Sequence, residues 1–89
     1  MPYIKKEDRE VLDYHIQQLA NLISFEDEFD GLVNYSITKL IVEIKKRVDF
    51  KYHEYNSIIG ALECCKLELY RRQIAPYEDK KIKTNGDVY

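Results

Sequence analysis

The chain has 89 residues, 14 of them Lys or Arg and 16 Asp or Glu, for a net charge of −2. That length makes a single domain, which buries only about 60–65% of its unfolded surface. The near-even charge argues against a protein that binds nucleic acid by neutralising phosphates, and no apolar run is long enough to span a bilayer.

Met1 to Ile4 is short and apolar and precedes a charged KKEDRE run. Pro2 and Tyr3 predict an extended lead-in that lays Tyr3 or Ile4 on a neighbouring helix. Leu12, Ile16, Leu19 and Ile23 then recur at helical spacing, with Val11, Ala20 and Leu22 beside them. The pattern predicts one helix from about Lys6 to Ser24. Asp13, a residue type suited to helix caps, marks where that helix would break if it does. FEDEFDG, residues 25–31, reads as an acidic connector, with Asp30 as the N-cap of the next helix. That helix carries Val33, Ile37, Leu40, Ile44 and Val48 on one stripe, with Leu32 and Ile41 alongside. Lys45, Lys46 and Arg47 fill its last turn and complement the helix dipole. Asp49 is the candidate cap for the helix that follows.

The longest periodic stretch is Tyr52 to Ala75. Tyr55, Ile58, Leu62, Cys65 and Leu69 keep to one side of a helix, and Ile59 and Tyr70 widen the stripe. Glu63–Lys66, Glu68–Arg71 and Glu68–Arg72 have the spacing of helical ion pairs. Pro76 is expected to end the helix, because it has no N–H and disfavours helical geometry at Ala75. The helix would be about 35 Å long at about 1.5 Å per residue, more than so small a bundle covers. Gly60, Ala61, Cys64 and Cys65 are small residues at its middle. They fit either a helix crossing at a subunit interface or tight packing inside one chain. Cys64 and Cys65 are adjacent, so they do not bond to each other, and they read as small, buried, reduced side chains. Beyond Pro76, PYEDKKIKTNGDVY has few apolar residues and an Asn85-Gly86 turn signal. It reads as an irregular tail, disordered or packed back through Tyr77, Ile82, Val88 and Tyr89.

The expected architecture is all-α: an up-down-up bundle of three helices, the last one long, over residues 1–75, with a tail over 76–89. The overhanging last helix and the small core predict a homo-oligomer. His15 and His53 have no metal-ligand spacing, and Glu26, Asp27, Glu28 and Asp30 lack the pattern of a calcium loop. No nucleophile motif and no phosphate-cradling glycine loop is present. The reading is therefore a non-enzymatic protein that needs no cofactor. Without a charged, apolar signal region, it is expected in the cytoplasm.

The most suggestive polar cluster spans the end of the last helix and the tail: Tyr70, Arg71, Arg72, Tyr77, Lys80, Lys81, Lys83, Asn85 and Asp87. Arginine offers planar paired donors for phosphate, and tyrosine a flat face with a hydroxyl. Two functions follow. One is stoichiometric binding of a partner protein through this end of the molecule. The other is sequestration of a small anionic nucleotide between subunits. The plainer reading pairs Arg71 and Arg72 with Glu68, Glu78 and Asp79 and leaves the lysines to solubility.

The opening MPYIKKEDRE, the segment GALECCKLELYRR and the ending APYEDKKIKTNGDVY resemble a family of small proteins of unknown function encoded by bacteriophages and some bacteria. The resembling segments cover about half the chain, and residues 23–55 match nothing recognised. The resemblance implies a phage or prophage accessory protein acting in the bacterial cytoplasm, and a protein of that kind and size commonly acts by contact with a host protein. It implies no catalytic residue.

Overall fold

The computed structural model of the chain describes residues 2–23 and 27–89. Every regular element among them is helical. They fall into two units, Tyr3–Tyr52 and a second built on His53–Tyr89.

In the first unit the lead-in is not helical, as expected, and Arg9 ties it down. The Arg9 Nε and Nη2 donate to the Ile4 carbonyl at 2.9 and 2.7 Å. Lys6–Asp8 forms a 3-10 turn, and α1 runs over Glu10–Ile23. The helix thus starts later than Lys6, because the charged run supplies no apolar face and takes the tighter turn. Asp13 does not break it. The Asp13 N–H donates to the Arg9 carbonyl at 2.7 Å, so the ladder passes straight through. The expected end at Ser24 and the connector residues Phe25 and Glu26 lie outside the described residues.

Helix α2 covers Phe29–Arg47, two residues earlier than an Asp30 cap would start it. Glu28 holds the N-cap position without a side-chain cap bond, and Asp30 sits inside the first turn. There its charge still favours the positive end of the helix dipole. Lys45, Lys46 and Arg47 do fill the last turn, and Val48 leaves in extended geometry. Glu43 gathers Lys39, Lys46 and Arg47 at 3.6, 3.1 and 3.0 Å. Hydrogen bonds from Arg47 and then Lys46 lower its carboxyl to about 2. Phe50 and Lys51 separate Asp49 from the next helix, which starts at Tyr52, so Asp49 is not its cap.

The second unit is one long helix: α3 over Tyr52–Leu69, a π-helical turn over Tyr70–Ile74, and α4 over Ala75–Asn85. Pro76 does not end it, and the irregular tail shrinks to residues 86–89. A proline inside an α-helix clashes with the carbonyl four residues back. Here the wide turn absorbs that conflict. The Ala75 N–H reaches back five residues to the Tyr70 carbonyl, and Ala75 keeps helical angles of φ −58° and ψ −47°. Pro76 then lies in the first turn of α4, where a missing N–H costs little. The helix stops at Gly86, whose φ of 93° suits glycine, and the Gly86 N–H closes on the Ile82 carbonyl at 3.0 Å.

The apolar stripes occupy helices as expected, yet no described residue is buried. Leu62 is 39% exposed, Tyr55 43% and Leu69 55%. Cys64 and Cys65 are free and exposed, contrary to the expectation of buried thiols. The reason lies in the distribution around α3. Leu67 stands across the rod from Ile58 and Leu69, while Tyr52, Ile59 and Tyr70 extend the apolar surface along one flank of the stripe. A helix that is apolar on several sides needs several neighbours to cover it.

Candidate binding surface

The expected cluster lies on a helix and not on a loose tail, and this decides which of its members can meet. In a regular α-helix, residues eight apart are about 80° out of line. The π turn takes up one extra residue, so positions before and after it come back into register eight apart. The Tyr70 hydroxyl accordingly donates to the Glu78 carboxylate. That bond, with the charge of Glu78, raises the Tyr70 phenol above its ordinary value. The Arg71 Nη2 donates to Glu68 at 2.8 Å, one turn earlier, as the spacing predicts. Glu63 and Lys66 pair likewise at 3.0 Å. Arg72 has no ion pair among the described residues.

On α4 the Lys81 ammonium stands 5.5 Å from the centre of the Tyr77 ring, a cation–π contact four residues apart. Lys80 and Lys83 are exposed. At the C-terminal end, Asp87 Oδ1 accepts the Tyr89 N–H at 2.9 Å. Lys81, Asn85 and Asp87 therefore line one open depression of about 250 Å³, together with Glu78, Ile82 and Tyr89. Ligand sites for small molecules usually run to about 300–1,000 Å³.

The structure thus splits the cluster. Lys81, Asn85 and Asp87 come together at the end of α4. Tyr70 reaches the same depression only through Glu78. Arg71, Arg72, Tyr77 and Lys80 are spread around the rod, beside the exposed side chains of Leu69, Ile74 and Ile82. Sequence reasoning assigned Glu78 to the arginines and missed its bond to Tyr70. The available signal was Pro76, since a proline inside a continuing helix calls for a local change of pitch.

The two histidines are both exposed. His15 meets Tyr14 edge to face at 5.2 Å, and the His53 carbonyl accepts the Ser57 hydroxyl at 3.0 Å. Among the described residues, no group of three His, Cys, Asp or Glu side chains is placed to hold a metal ion. No described helix is long and apolar enough to cross a membrane.

Residues 1–88 match the family model described as a domain of unknown function (DUF6899). No curated protein and no solved structure matches the chain.

Proposed function

The chain belongs to the DUF6899 family, a domain of unknown function, and we propose that it is a non-enzymatic accessory protein of phage or prophage origin. It acts in the bacterial cytoplasm by stoichiometric binding of a host protein. The contact surface is the end of the long helix, from Tyr70 through Asp87. One observation carries this reading: cations and bulky apolar groups are interleaved on an open, convex helix surface. Tyr77 and Ile82 are 59% and 43% exposed beside Lys80, Lys81 and Lys83. Aromatic anchors among charged groups suit a partner with a complementary groove.

The test is affinity capture from host extract with the wild-type chain and with the triple variant Y77A/K80E/K81E. The wild type should retain a partner that the variant loses, while both give the same helical circular dichroism. A partner held equally by both would refute the assignment of this surface.

A second reading, sequestration of an anionic nucleotide, draws support from the depression shared by Lys81, Asn85 and Asp87. Calorimetry against cyclic and ADP-ribose-type nucleotides separates the two readings. Heat of binding that K81E abolishes would favour the nucleotide, and silence across the panel would end that idea.

A further inference from the structure

The long helix departs from regular geometry twice in one place: at the π turn over Tyr70–Ile74 and at Pro76 just beyond it. We propose that this place is a hinge, and that the Tyr70–Glu78 hydrogen bond is the tie that holds it at one angle. The hinge exists whatever α4 binds.

The backbone supplies the weak point. Sharp bends in helices fall at prolines and at π turns, and here the two coincide. Pro76 has no N–H, so it adds no backbone hydrogen bond between α4 and the turn before it. The Ala75 N–H does reach back, to the Tyr70 carbonyl. The backbone over residues 70–76 is thus held by fewer bonds than an equal stretch of α3.

The side chains supply the tie. Tyr70 is the first residue of the wide turn, and Glu78 lies in the first turn of α4. The bond between them therefore spans the weak stretch from end to end. Its acceptor is a carboxylate, and such charge-assisted bonds are about twice as strong as neutral ones. Neighbouring contacts do not bridge the stretch: Arg71 pairs backward with Glu68, and Lys81 stands over Tyr77 within α4.

Position around the helix sets the direction of the bend. Pro76 and Glu78 are about 200° apart around the rod, so the tie lies across from the proline. A proline pushes away the carbonyl it faces and so opens its own side of the helix. The tie sits on the inside of that bend, where it keeps Tyr70 and the first turn of α4 from drawing apart. Without it, α4 swings about the turn.

Double electron–electron resonance between two nitroxide labels on the full chain tests this. The parent carries C64S, C65S, K66C and I82C. Lys66 lies one helical turn before Tyr70 and Ile82 one turn after Glu78, so both labels stand on the tie's side, roughly 20–25 Å apart. Dilution with unlabelled chain restricts the reading to distances within one molecule. The parent should give one narrow distance. Y70F and E78A should each broaden it and shift it, a change of bend of about 20° moving labels on this side by about 2 Å at a helix radius of about 5–6 Å. R71A, which breaks the pair with Glu68 and leaves the tie, should match the parent. P76A should be narrow about its own distance, and Y70F should add no breadth to it, because a continuous α-helix has no hinge there. Distances unchanged in Y70F and E78A overturn the tie. Equal broadening in R71A overturns its assignment to Tyr70 and Glu78. A P76A/Y70F double variant as broad as Y70F alone overturns the hinge.

Discussion

Gly60 stands in the middle of α3, where glycine is an expensive choice. With no Cβ it loses more backbone freedom on folding than any other residue, and it weakens a helix by about 1 kcal/mol relative to Ala. Such a residue is usually retained because another backbone crosses closely. Here a Cβ built on Gly60 meets nothing within 4 Å. No atom of the described chain would be displaced by a methyl group, so the propensity term stands alone. Gly60 also lies on the opposite side of α3 from Tyr55, Leu62 and Leu69, because Leu62 and Gly60 are about 200° apart around the helix. G60A should therefore stabilise the protein by about 1 kcal/mol, which for a chain of this size raises Tm by about 4–8 °C. Thermal unfolding followed at 222 nm reads the change. A lower Tm for G60A would refute the reasoning. It would mean that a neighbour does pack against this glycine.

Two other perturbations probe the helix itself. P76A removes the reason for the wide turn, so the π turn should relax to α-helix, with little change in stability because the turn already absorbs the ring clash and the missing N–H lies in a first turn. Tyr70 and Glu78 would then fall out of register. The Tyr70 phenol, which in the wild type titrates above the ordinary range because Glu78 holds its proton, should return to that range in a site-resolved tyrosine titration. A phenol still raised in P76A would show that something other than the proline sets the turn. For Glu43 the sign runs the other way. Its carboxyl is lowered from 4.5 to about 2 by Arg47 and Lys46. Its stabilising contribution is present above pH 4.5 and is lost as pH falls toward 2. Carbon-13 NMR of the Glu43 carboxyl should show the depressed titration, K46A should raise it in part, and an ordinary midpoint near 4.5 would sink the ion cluster.

The helical nature of the chain was legible because its apolar spacing is helical and its charges agree with it, although Asp30 and Asp49 do not cap the helices that follow them. Lys45, Lys46 and Arg47 sit in a last turn, and Glu63–Lys66 and Glu68–Arg71 pair as their spacing predicts. What misled was Pro76. Local rules treat a proline after a long helix as a stop, and they hold for the α pitch alone. A change of pitch over Tyr70–Ile74 lets the same residue pass, and no rule based on fixed spacing anticipates it. The error carried into the site. With the helix ended at Ala75, Tyr70 and Glu78 had no reason to meet, and the cations after Pro76 were free to converge on one ligand. On a continuous helix they are held apart around the rod.

Burial misled for a different reason. Periodicity reports which residues seek cover, and it is silent on which molecule supplies it. Leu62 and Leu69 obey the helical period as well as any core residue, yet remain 39% and 55% exposed. Apolar area left in water in this amount is a standing driving force for association, at about 25 cal/mol per Å². A partner that competes for α3 must displace whatever already covers it. The stripe on α3 and the cations and tyrosine of α4 stand on either side of the π turn at Tyr70–Ile74, so a substitution at Leu62 and one at Tyr77 probe separate stretches of the helix.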